Sequence, residues 1–99
     1  MSIPVIVVRG HDRCLGYQQI TALAAVTGLE PKGALVAVIQ AESKDVRWRD
    51  DGVAPTALIG MLLTAGAAME YRGDMNAIRF IEVAASAKLN IAYYGPEGN

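Results

Sequence analysis

Chemistry-bearing residues are scarce in this chain. It holds one cysteine, Cys14, and one histidine, His11. A lone cysteine excludes an internal disulfide and favours a reducing compartment, or a protein assembled in one. Cys14 and His11, with Asp12 as a third ligand, fall short of the four that a structural zinc site takes. Cysteine–histidine pairs that do nucleophilic chemistry usually converge from distant parts of a chain, whereas these sit three residues apart in a polar stretch that reads as a surface loop. No glycine-rich phosphate loop precedes a helical pattern. Charge of either sign is not in excess: the net charge is −1 and charged residues make up 19% of the chain. That balance gives no footprint for nucleic acid. No apolar run reaches the roughly 18 residues of a membrane span. The apolar stretch from Ile3 to Val8 is short for a signal peptide and has no basic residue before it. The expectation is a protein with no catalytic residue, no metal and no cofactor, and with no nucleic-acid or membrane partner.

What is abundant is apolar surface. At 99 residues the chain is one domain, and 53% of it is apolar, above the roughly 45–50% usual for soluble domains. A small domain has much surface for its volume and buries such an excess incompletely. The surplus points to surface covered by neighbours, although alanine, which is cheap to expose, supplies much of it.

Glycine and proline cut the chain into short pieces, at Gly10, Gly16, residues 28–33, residues 50–55, Gly66, Gly73 and residues 95–96. Several of these spacings approach the roughly 8–12 residues between turns that mark sandwiches and barrels. Between the breaks the period is often two. In Lys88-Leu89-Asn90-Ile91-Ala92-Tyr93-Tyr94, the side chains of Leu89, Ile91 and Tyr93 fall on one face and those of Lys88 and Asn90 on the other. Val46-Arg47-Trp48-Arg49 alternates in the same way, with Val46 and Trp48 inward, and Ile78-Arg79-Phe80 repeats the scheme. The run from Leu35 to Ala41 suits a strand covered on both faces. Three alanine-rich segments, residues 18–26, 57–71 and 77–88, compete as helices. Gly60 and Gly66 weaken the second, and an all-β chain is the stronger reading.

The most specific segment is Val46-Arg47-Trp48-Arg49-Asp50-Asp51-Gly52, followed by Pro55-Thr56. Asp51-Gly52 supplies a residue tolerant of positive φ and one that adopts it freely, and Pro55 cannot donate to a ladder. A strand ending in an ordered turn follows. This string resembles a pattern in small structural proteins of tailed bacteriophages and prophages. The resemblance continues through Tyr17-Gln18-Gln19-Ile20-Thr21, Ile39-Gln40-Ala41-Glu42, Gly60-Met61-Leu62-Leu63, Ala77-Ile78-Arg79-Phe80-Ile81 and Leu89-Asn90-Ile91-Ala92-Tyr93-Tyr94. The Asp-Gly-x-x-Pro-Thr turn is also similar to one in immunoglobulin-like sandwiches attached to carbohydrate enzymes. The resemblance implies an antiparallel β-sandwich, Ig-like or jelly-roll-type, of about seven or eight strands, with a role in the virion. It brings no catalytic residues with it. Residues 17–99 would form the sandwich domain, and residues 1–16 an N-terminal arm or edge strand.

Within that reading, neighbouring strands would gather Arg47, Arg49, Arg79 and Lys88 into a basic docking face for carboxylates of a partner. Ile3, Val5, Ile6, Val7 and Val8 would form an inter-subunit arm, and Trp48 would anchor the core. Asp50 and Asp51, with Glu42, read as turn residues before they read as a calcium site. Arg72-Gly73-Asp74 reads as a hairpin turn that uses positive φ at Gly73, not as an adhesion motif. The expected partners are further copies of the chain, as a trimer or ring, and other virion proteins such as major capsid or tail proteins. A head decoration (cement) protein comes first, with a neck or tail accessory protein (head–tail joining or baseplate) as the alternative. A carbohydrate-binding adsorption module is the rival, but it needs exposed aromatics, and with Trp48 in the core only the tyrosines remain.

Overall fold

Leu89, Ile91 and Tyr93, one apolar face of the most regular alternation in the chain, are all fully buried. The computed structural model that places them describes residues 12–96. The strands are β1 (Asp12–Ile20), β2 (Thr27–Gly28), β3 (Val36–Glu42), β4 (Val46–Arg49), β5 (Met61–Leu63), β6 (Ala68–Tyr71), β7 (Arg79–Glu82) and β8 (Lys88–Pro96). They form two four-stranded sheets, a front sheet ordered β1-β8-β3-β6 and a back sheet ordered β2-β7-β4-β5. Every pairing is antiparallel. The described residues form an all-β antiparallel sandwich of eight strands.

The core lies between the sheets. From the front come Ala37, Ile39 and Ala41 of β3 with the inward residues of β8; from the back come Val46 and Phe80, with Ile78 beside them. Burying an aliphatic or phenyl side chain of this kind stabilises by about 1.5–3 kcal/mol. Trp48 points inward opposite Phe80 but is only half-buried. It packs on the edge of the core, with its ring edge-to-face on Tyr71 at a centroid distance of 6.0 Å. Phe80, fully enclosed, holds the central place.

Among the described residues there is no helix. In residues 57–71 the helix fails at Gly60 and Gly66, whose φ values are 145° and 87°. In residues 77–88 the period of two prevails, because Ile78 and Phe80 enter the core while Arg79 and Ile81 stay outside. The expectation that β3 is covered on both faces is corrected. The strand begins at Val36, Leu35 is 59% exposed, and Gln40 and Glu42 face solvent. A two-layer sandwich has no third layer to cover that face. Gly73 is also corrected, since its φ is not positive. A side chain there would put Cβ 2.5 Å from the Tyr71 hydroxyl, so the position requires space and not backbone freedom.

Residues 12–16 belong to β1, an edge strand held against β8 from Asp12–Pro96 to Ile20–Leu89. Ile3, Val5, Ile6, Val7, Val8 and His11 lie outside the described residues.

Candidate functional site

The antiparallel register of β4 and β7 sets Arg49 opposite Arg79 and Arg47 opposite Ile81. Arg47, Arg49 and Arg79 therefore share the outer face of the back sheet. Lys88 does not join them: it starts β8 in the front sheet, opposite Glu42. The three guanidinium groups are also engaged within their own chain. Arg47 donates from Nε to the carbonyl of Ala57 (3.1 Å) and from Nη1 to that of Gly60 (2.9 Å). Arg79 Nη1 donates to the carbonyls of Asn76 and Ile78, at 2.8 and 2.9 Å. Arg49 forms a two-pronged pair with Asp51. The hydrogen bond from Arg49 holds the Asp51 carboxyl below its usual range and, reciprocally, raises the guanidinium of Arg49.

The carbonyls that Arg47 takes belong to the connection from β4 to β5. That connection is a built turn. The Thr56 amide donates to the Ile59 carbonyl at 2.8 Å, and the Thr56 hydroxyl accepts from the amides of Leu58 and Ile59 at 3.2 and 3.0 Å. Pro55 is fully buried beneath it. Gly60 closes the turn with Arg47 Cβ, Pro55 Cβ and the Trp48 carbonyl each 3.2 Å from where a Cβ would stand. The turn presents apolar residues to solvent: Leu58 is 85% exposed, Ile59 58%, and Met61 and Leu62 of the adjoining β5 are 60% and 48% exposed. Among the described residues, β5 is an edge strand with β4 as its one neighbour. No charged residue occurs anywhere in residues 52–69. At the far end of the connection, a pocket of about 280 Å³ is lined by Val26, Gly52, Val53, Ala54, Ala77 and Arg79.

The outer face of the front sheet is different in character. Tyr17 lies opposite Ala92 on β8, yet its hydroxyl donates to Asn90 Oδ1 at 2.5 Å. The ring must therefore lean along the sheet, and Tyr17 remains 61% exposed. Asn90 Oδ1 also accepts from Gln19 Nε2, and Asn90 Nδ2 donates to Glu42 Oε1. Gln19 Oε1, Gln40 Nε2 and Glu42 Oε2 take no part in this network.

The buried hydroxyls are structural. Tyr93 accepts from the Glu30 amide at 3.1 Å and donates to Gln18 Oε1 at 2.6 Å, tying β8 to β1 and to the segment before β3. Tyr71 reaches Asp50 Oδ2 at 2.8 Å and the Asp74 carbonyl at 3.1 Å. Burial raises the pKa of both phenols, and for Tyr71 the Asp50 carboxylate adds to the rise. Asp50 and Asp51 are thus held by Tyr71 and Arg49, while Glu42 is on the other sheet. Arg72 donates to Glu70, and the Asp74 carboxylate accepts from the Asn76 amide. Among the described residues, no three metal-ligating side chains converge on a point.

Two features escaped the sequence reading. The apolar edge was announced by the uncharged stretch in residues 52–69. The Tyr17–Asn90 cluster was announced only by polar residues at alternate positions on three strands whose pairing the sequence does not specify. No family model, curated protein or solved structure matches the chain.

Proposed function

We propose that the chain is a non-enzymatic structural subunit of a tailed-bacteriophage particle, and a head decoration (cement) protein in the first place. A neck or tail accessory role uses the same chemistry at another position in the virion. The observation that carries this reading is the rigid presentation of Leu58, Ile59, Met61 and Leu62 at an uncharged sheet edge. Contiguous exposed apolar surface marks sites where protein meets protein, and a turn fixed in advance has little entropy left to lose on binding. The sequence resemblance supplies the phage assignment. A subunit of this kind binds the assembled shell and not the free parts, so mass action favours the shell. Many symmetric copies make weak single contacts strong together. The apolar edge supplies contact between copies, and the arginines meet the shell with those donors not already engaged.

The test is co-sedimentation of the purified chain with undecorated capsids of the phage that encodes it. Saturable pelleting, with a rise in the temperature at which the capsids break, is the expected result. A chain left in the supernatant with shells of unchanged heat resistance sinks the proposal.

One observation favours a second reading, a carbohydrate-binding adsorption module. Tyr17 offers a recumbent, solvent-facing ring flanked by the amides of Gln19 and Gln40 and the carboxylate of Glu42. Such a ring can stack on a sugar while amides and a carboxylate bind its hydroxyls. Retention on a glycan array that disappears in Tyr17→Ala is the outcome this reading requires.

A further inference from the structure

We infer that β5 pairs antiparallel with β5 of a second copy, about a two-fold axis beside Leu62. The inference rests on the reading of the chain as an assembling subunit and names its partner at the apolar edge.

Among the described residues the two sheets have four edges, formed by β1, β6, β2 and β5. Open edges invite pairing, and proteins blunt them with charge, bulges or brevity. β1 carries the exposed Arg13 and a break in register between Cys14 and Gly16. β6 carries Glu70, ion-paired to Arg72 just beyond the strand. β2 has two residues, and the guanidinium of Arg79 lies where a side chain at Gly28 would be. β5 is short, at three residues, but has no charge, no proline and no bulge, and an apolar turn lengthens its exposed strip.

The absence of charge also selects the occupant. A two-fold axis sets a patch against its own copy, so any charge near the axis meets its like. Residues 52–69 satisfy that condition along their whole length. The nearest cation, Arg47, points its fork back into the 57–60 turn. A foreign partner would impose no such neutrality and could be met with complementary charge. Leu62, on the outer face opposite Arg47, is the middle residue of β5 and so falls nearest its own symmetry mate.

Sedimentation velocity of the full chain over a wide concentration range tests the pairing. The wild type is expected to associate reversibly into dimers. Leu62→Lys and Leu62→Glu should each raise the dissociation constant by about a hundredfold or more, through like charges at the axis. An equimolar mixture of the two should recover dimers, because Lys then faces Glu. Leu58→Lys, at the most exposed of these positions, should weaken the dimer as well and serves if changes at Leu62 disturb folding. Tyr17→Lys, on the opposite sheet, should leave association unchanged. A wild type that stays monomeric, a dimer indifferent to Leu62→Lys and Leu58→Lys, or a Lys–Glu mixture that stays monomeric overturns the inference. The capsid assay is independent: shells that fail to bind a chain that still dimerises count against the virion reading and not against the pairing.

Discussion

Replacing Arg47 with methionine keeps most of the aliphatic stem and removes the guanidinium. Two donors disappear, at 3.1 Å from the Ala57 carbonyl and 2.9 Å from the Gly60 carbonyl. A hydrogen bond to a charged group contributes about 1.5–3 kcal/mol, which puts the pair at about 3–6 kcal/mol before solvent is considered. Arg47 is half-buried, so water replaces part of what is lost, and about 2 kcal/mol is the expected cost. For a domain of this size that lowers Tm by about 8–16 °C. Arg49→Met makes the same change of charge two residues away on the same face. Its partner Asp51 is an exposed side chain on the adjacent turn, and exposed ion pairs contribute little, so its Tm should stay at the wild-type value. Arg47→Lys should recover only part of the loss, because an ammonium lacks the fork that spans two carbonyls. The assay is differential scanning calorimetry of the three variants, with limited proteolysis within residues 56–59 as a local readout. If Arg47→Met and Arg49→Met melt together and the turn resists protease in both, the clamp is not what holds the turn, and the account of the exposed edge fails with it.

Other substitutions probe the core and the turn. Phe80→Ala should cost about 3–5 kcal/mol in urea unfolding, and Trp48→Ala less, about 2 kcal/mol, because the indole is already half in water; equal losses would put Trp48 in the centre of the core. Gly60→Ala combines a φ of 145° with three contacts at 3.2 Å and should cost about 1–3 kcal/mol; a neutral result means the turn is looser than described. Base should unfold the domain through its phenols. The folded-state pKa of Tyr71 and Tyr93 is raised above the unfolded value of about 10, so their contribution is complete below about pH 10 and is lost as pH climbs toward the folded-state values. Urea midpoints should fall above about pH 10, less steeply in Tyr71→Phe; a flat profile there contradicts the burial of both hydroxyls.

The strands were legible where one face alternates cleanly. β4 was expected at residues 46–49 and stands there, and β8 was expected at residues 88–94 and runs two residues further. It continues through Gly95, which pairs with Arg13 and leaves room for Leu15, 2.6 Å from where a Cβ would stand. That contact joins β1 to β8 and leaves no trace in local pattern. Pairing is the general blind spot. β1 and β8 match residue 12 with residue 96, and nothing in either segment names the other as partner. The separation of Lys88 from the arginines follows from this. Strand direction was right for Lys88, since it does face outward, but the strand is in the other sheet.

The arginine heads are engaged within the chain for a different reason. Alternation tells which way a side chain leaves the strand, and Arg47, Arg49 and Arg79 all leave outward. It does not tell where a long flexible stem will place its head. The head goes where backbone acceptors lack a ladder, and in this chain those are the carbonyls of irregular segments next to the strands: Ala57 and Gly60 for Arg47, and Asn76 for Arg79. The uncharged run from residue 52 to residue 69 contains no other polar side chain than the hydroxyls of Thr56 and Thr64. Two of its backbone carbonyls, at Ala57 and Gly60, take their donors from a neighbouring strand, and Arg47 supplies both. The sequence contained both halves of this bargain, a turn poor in side-chain donors and an outward arginine on the strand before it. Only the folded structure shows that the two meet, and their meeting turns the fork of a half-buried cation away from the apolar edge.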